Sequence, residues 1–464
     1  MRNWRLGLVL LAFLAAMCVF GSLRLDIDEI RSVKDPYELL GGDYTLGYLR
    51  AHEWGRALDC AWRAYTFFWQ YRPLMTPVLP QRELRRFAAE EQRFGYTVPD
   101  TGRAGTEEMY RKRLVVPEPA RFYRNGAGVP LLTAVLRLPT LALARFATRD
   151  GPDLLAYQFH RNPHPVFILL RLVGILGGLV SVLLVYALLR AEVGEGGGLI
   201  GAALMAALPP AIMFFPNLHY DAVLTPFVLA AALLYARKRY VLGGICLGLA
   251  FASKNSAVFL PAALLIHLAI ETWRVRRAAD PTAASAALGR RARGLMLFGL
   301  VALAASSPFA NPVSQMQEVL SPIVHRPHDP RAPSAEPYRL DAPVAAGTAA
   351  ARASRVDALI QRVKWGLGYN LSLLLALLAF PLAWARMRGV TGEFALCMLA
   401  VSFPYRVVFG DGLGYRSLMY LPFFTIAAVF ALGRRAQLAI LALLWLVDLV
   451  FLLNPLFATG IQHS

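Results

Sequence analysis

The chain has 464 residues, of which 57% are hydrophobic and 17% charged, with a formal net charge of +18. That balance is too apolar for an ordinary soluble enzyme. The basic residues fall in small clusters between apolar runs, which points away from a nucleic-acid binder and toward a membrane protein with charge-sorted topology.

A spanning helix needs roughly 20 mostly apolar residues. In chain order, about eleven runs qualify: 6–23, 166–189, 197–215, 219–236, 240–253, 256–272, 294–310, 366–385, 393–409, 414–432 and 436–456. The fifth and sixth are short. The expected fold is therefore an all-α integral membrane bundle forming a single polytopic domain. The first run follows Arg2 and Arg5 and lacks a clear small-x-small cleavage site before Arg24, so it is expected to stay as an uncleaved helix.

Basic clusters set the direction. Arg237, Lys238 and Arg239 follow the fourth run, and Arg274, Arg276, Arg277, Arg290, Arg291 and Arg293 separate the sixth and seventh. Arg386 and Arg388 follow the eighth run, and Arg434 and Arg435 the tenth. With eleven spans, all of these fall on one side, which the positive-inside rule makes cytoplasmic. The N-terminus is then inside and the C-terminus outside.

Two long segments fall outside in this scheme. The first, 24–165, is rich in aromatics and includes PLLTAVLRLPTLALARF (130–146), which reads as an amphipathic interfacial helix because Arg137 and Pro139 interrupt it. The second, 311–365, is rich in Pro, Ala and Arg and reads as irregular. The GGG at 196–198 reads as a turn and the Ala-rich 283–287 as a loop. Four cysteines without a CxxC spacing support neither a zinc site nor a disulfide framework.

Polar residues gather on the outer side. LDIDEIRSVKD (25–35) places Asp26, Asp28 and Glu29 just past the first run. FFPNLHYDAVLTPF (214–227) carries His219, Tyr220 and Asp221, and FASKNSAVF (251–259) carries Lys254 and Asn255. Asp411 and Arg416 lie between the ninth and tenth runs, and Arg171 opens the second. A solvated helix end explains the three acids equally well, and snorkelling explains Asp221 or Arg416 taken singly. Lys254 is different, because it sits between two short apolar runs where a broken helix needs a cavity or buried protein. Together these groups suggest a polar cavity for a lipid-linked anionic substrate. Cations would hold its phosphate by charge-assisted hydrogen bonds, and a carboxylate would abstract a proton.

These residues resemble the GT-C superfamily of membrane glycosyltransferases, in the branch of protein O-mannosyltransferases and lipid A aminoarabinose transferases. The likeness starts with Asp28–Glu29 directly after the first helix. It continues through RLVGILGGLVSVLLVYALLR (171–190), the turn aspartate Asp221, the G-x-x-x-G-x-x-x-x-x-K step of GGICLGLAFASKNSAVF, and GYRSLMYLPFF. It covers most of 6–272 plus 410–432. The chain departs from the family at Ile30, Arg31 and Ser32, where an aromatic is often found, and at YRNGAGVPLL (123–132), where Arg124 stands in for a KP or HPP step.

The resemblance implies a GT-C bundle and inverting transfer from a polyprenyl-phosphate sugar to a lipid, glycan or protein acceptor on the extracytoplasmic face. It implies Asp28 as base, with Asp26 and Glu29 beside it, and Lys254, Arg416, Arg124 and Arg171 around the donor phosphate. His219, Tyr220, Asp221 and Asn255 would line the cavity or acceptor side. No cofactor is required, and a divalent cation on Asp26, Glu29 and Asp43 remains open. A bacterial inner membrane fits the compact size. No G-x-x-x-x-G-K-[ST] loop for ATP is present. A transporter or flippase of lipid-linked sugars is the alternative, although no internal repeat of the sort common in transporters is visible.

Overall fold

A computed structural model describes residues 4–20, 52–59, 166–216, 220–277, 281–307, 390–409 and 418–431, with 439 and 446 as single positions. Among the described residues there is no strand. The helices are α1 (Trp4–Phe20), α2 (Val166–Ala207), α3 (Pro209–Phe214), α4 (Tyr220–Ala236), α5 (Tyr240–Ser253), α6 (Phe259–Arg276), α7 (Pro281–Ser306), α8 (Val390–Phe409) and α9 (Leu421–Ala431). Nine of the eleven apolar runs fall wholly or partly on them. The run 366–385, the run 436–456 apart from 439 and 446, the first outer segment apart from 52–59, and all of 311–365 lie outside the described residues. Two stretches, Arg171–Ala207 and Ser256–Arg276, are long and apolar enough to cross a membrane, and several shorter apolar helices accompany them.

The range given for α2 contains a reversal. Gly194 has φ 80° and ψ −179°, a conformation that glycine adopts without a Cβ clash. Beyond it the chain folds back: Gly198 lies against Tyr186 and Arg190, and Gly201 against Leu189 and Val185. In one straight helix, residues twelve apart would be roughly 18 Å apart. The second and third apolar runs are thus a hairpin of two helices. The turn sits at Gly194 and not at the GGG as expected, because 196–198 already belong to the returning arm. Leu208 is then extended before Pro209 and Pro210, which start α3 at positions where a missing N–H costs nothing.

The expectation of a loop at 283–287 is also corrected, since α7 runs from Pro281 through the alanines and arginines. Alanine has the highest helix propensity, and here it outweighs the polar flank.

A tight turn joins α4 to α5. The N–H of Arg239 donates to the Leu234 carbonyl and that of Lys238 to the Tyr235 carbonyl, the two bonds of a Schellman cap. Lys238 occupies its left-handed position with φ 59°. A residue with a Cβ is strained there, so Lys238→Gly is expected to stabilise the fold by about 1 kcal/mol. Unfolding in mixed micelles would check this.

Packing across the bundle relies on small residues, as expected where the lipid gives little hydrophobic drive between helices. The face of α5 formed by Gly243, Gly244 and Gly248 lies on α7, meeting Phe298, Val301 and then Ala302 with Ala305. The matched order of these contacts means that α5 and α7 run parallel, with α6 returning between them in sequence. On the other side of the core, Phe13 of α1 meets Phe215 edge-on at 6.3 Å.

Candidate functional site

The site is built where α4 begins and α5 ends. Asp221 stands in the first turn of α4, where the helix dipole favours a carboxylate. It is fully buried. α5 stops at Ser253, and Lys254 is extended (φ −168°, ψ 149°) before a 3-10 turn at Asn255–Val258 restarts the chain into α6. This break is what the isolated Lys254 in an apolar run suggested. Pro261 then falls in the first turn of α6, a position that tolerates it.

The break turns the lysine inward. Lys254 Nζ donates to Asp221 Oδ2 in a direct ion pair. The lysine side chain keeps 18% exposure while the aspartate has none. Asp221 Oδ1 has no hydrogen-bond partner among the described residues. A buried carboxylate is tolerable only when paired, so the ammonium makes this aspartate possible. In turn, Lys254 reaches the site with its charge already balanced.

Local backbone chemistry reinforces the aspartate end. Pro226 has no N–H, so the Ala222 carbonyl one turn earlier loses its helical donor. Thr225 Oγ1 donates to the Asp221 carbonyl at 2.7 Å. The bared turn rests on Gly177 of α2, where an added Cβ would collide with the Ala222 carbonyl oxygen. Arg171, also buried, lies about a turn and a half before Gly177 on the same helix. Tyr220 is half-buried at the first position of α4, and Asn255 opens the 3-10 turn.

Of the residues singled out in the sequence, the structure thus joins Asp221 to Lys254 and places Arg171, Tyr220 and Asn255 on neighbouring elements. Asp26, Asp28, Glu29, Asp43, Arg124, His219, Asp411 and Arg416 lie outside the described residues.

This pair, its broken helix and the α2 hairpin all lie in one stretch of chain. Residues 166–289 match the family model of dolichyl-phosphate-mannose-protein mannosyltransferase. The match spans 124 of the 464 residues and is to a GT-C family, the one that the sequence motifs resemble. That family is one of membrane-integral glycosyltransferases that use a lipid-linked sugar donor. No curated protein and no solved structure matches the chain.

One polar cluster escaped the sequence reading. From the middle of α6 toward its C-terminal end, His267 and Glu271 meet Glu393 from the first turn of α8, with Arg274 and Arg291 around them. The signal was HLAIE (267–271), a histidine and a glutamate four apart on one helix face, hidden because it lies in a run read only for its hydropathy. Nearby, Glu192 accepts the Thr391 backbone N–H at 2.6 Å and so caps α8 from the α2 hairpin.

Proposed function

We propose that this protein transfers a sugar from a polyprenyl-phosphate donor to a lipid, glycan or protein acceptor on the extracytoplasmic face of a bacterial inner membrane, with its N-terminus cytoplasmic. The observation that carries the reading is the buried Asp221–Lys254 pair at a helix break inside the mannosyltransferase-family segment.

In this mechanism the acceptor hydroxyl attacks the anomeric carbon, the bond from that carbon to the phosphate oxygen breaks, and configuration inverts. Asp28 takes the hydroxyl proton, a role worth about 10²–10⁴ in rate. Asp26 and Glu29 flank it. The lipid phosphate leaves with the bonding electrons and gains charge. Lys254, Arg416, Arg124 and Arg171 offset that charge by preorganised electrostatics. An ammonium carries three N–H donors, so Lys254 can hold Asp221 and a phosphate oxygen together. His219, Tyr220 and Asn255 line the acceptor side. Such cations can support phosphate departure without a metal. A divalent ion on Asp26, Glu29 and Asp43 is the variant of this mechanism that chelation would expose.

Sugar transfer by the full chain in nanodiscs, offered a panel of polyprenyl-phosphate sugars, tests the proposal. Wild type is expected to turn over at least one donor, and Asp28→Asn to lose transfer while still binding it. Equal turnover in the variant would remove Asp28 from the role of base. Lipid movement across the bilayer without transfer would favour a flippase instead.

A further inference from the structure

We propose that His267, Glu271 and Glu393 form a zinc(II) site that ties α6 to α8 at the arginine-bearing end of the bundle. It is separate from sugar transfer, since His267 lies thirteen residues beyond Lys254, roughly 20 Å along the chain's helical course.

Three observations support it. First, one ligand atom from each residue lies within 4.8 Å of the others, and each belongs to a type that binds zinc. Second, His267 and Glu271 are four apart on α6, the spacing that puts two ligands on one helix face, while Glu393 enters from α8. Third, His267 is 1% exposed, and its Nε2 makes no close hydrogen bond but faces the Glu393 carboxylate. That nitrogen stands 3.5 Å from Glu393 Oε2. Two ligands each about 2.0–2.1 Å from a tetrahedral zinc are themselves roughly 3.4 Å apart. The histidine and Glu393 are therefore already spaced as neighbours on a shared ion, and rotation of the Glu271 side chain would complete three protein ligands.

The arginines decide the strength. Arg274 donates to both oxygens of Glu393 at 2.8 Å, and Arg291 pairs with Glu271. A carboxylate can bind a metal through one oxygen and an arginine through the other, the usual outer-sphere arrangement. Two positive charges beside a dication still oppose it, so affinity is expected in the micromolar range. Arg274 is 46% exposed, so water can replace Glu393 as the partner of its guanidinium. Its removal should therefore tighten zinc binding, whereas a merely structural ion-pair cluster would gain nothing from losing it.

The test is titration of zinc chloride into the metal-free full chain in detergent micelles, followed by calorimetry, X-ray absorption and thermal unfolding. One site per chain is expected, with a single imidazole and otherwise oxygen ligands, and with a higher unfolding temperature. His267→Gln and Glu393→Gln should each weaken uptake more than about tenfold, and Arg274→Gln should strengthen it. Circular dichroism of the metal-free variants checks that they fold, and Glu271→Gln replaces any that does not. No saturable uptake by wild type, or undiminished affinity in the folded ligand variants, would overturn the proposal.

Discussion

Replacing Asp221 by asparagine is expected to cost more stability than replacing both members of its ion pair. Asp221 is fully buried and its partner Lys254 mostly so. Asp221→Asn removes the buried carboxylate that faces the Lys254 ammonium, and Lys254→Met removes the ammonium that faces that carboxylate. Removing one member of a buried pair typically costs about 3–5 kcal/mol, whereas replacing both is often nearly neutral. The double variant Asp221→Asn/Lys254→Met should thus recover much of what either single change loses. Reversible unfolding of the four proteins in mixed micelles gives the coupling directly. Additive losses would mean that the two groups do not depend on one another. Activity should separate from stability here: the double variant is expected to fold and still transfer sugar poorly, because the cation proposed for the leaving phosphate is gone.

The second large effect is steric. Gly177→Ala and Gly248→Ala both add one carbon where the obstacle is backbone or a Cβ fixed to it. At Gly177 it is the Ala222 carbonyl, and at Gly248 it is Ala305 Cβ at 2.6 Å, the Ala302 carbonyl at 2.8 Å and the Ser306 nitrogen at 2.9 Å. Backbone cannot rotate away, so the helices must part. Overpacking of this kind costs about 1–3 kcal/mol. Gly201→Ala is the control. There the added carbon meets the far end of the Leu189 side chain, which can change rotamer. Alanine also favours helix over glycine by about 0.8–1.0 kcal/mol. Gly201→Ala should therefore be neutral or stabilising, and a loss as large as at Gly248 would show that the α5–α7 contact is not the cause.

Much of this was legible in the sequence because hydropathy is a one-dimensional signal. Runs of apolar residues and their basic flanks mark helix ends, and the described helices follow them closely. Lys254 stood out for the same reason: a cation within such a run demands a break. Its partner was not readable. Asp221 is 33 positions away, and only the turn at Lys238 brings the two helix ends to one level. The G-x-x-x-G step was visible as a motif, but its purpose, close contact with a helix two elements later, is a tertiary fact. Local composition misled at the GGG, where one glycine two places earlier makes the turn, and at the alanines of α7. His267 was passed over because mean hydropathy averages a single polar residue away. Asp28, Arg124, His219 and Arg416 lie outside the described residues.

The parallel contact between α5 and α7 bears on how the chain is made. A ribosome delivers α5 first, then α6 in the reverse direction, and only then α7. Until α7 emerges, the glycine face of α5 has no partner of its own and must wait against lipid or the insertion machinery. Helices joined by a short turn, such as α4 and α5, can pair as soon as both are synthesised. The glycine face cannot, so its assembly waits until α5, α6 and α7 have all been made. Substitutions on that face should then act during biogenesis as well as in the finished bundle, lowering the yield of inserted protein before they alter any property of the molecules that mature.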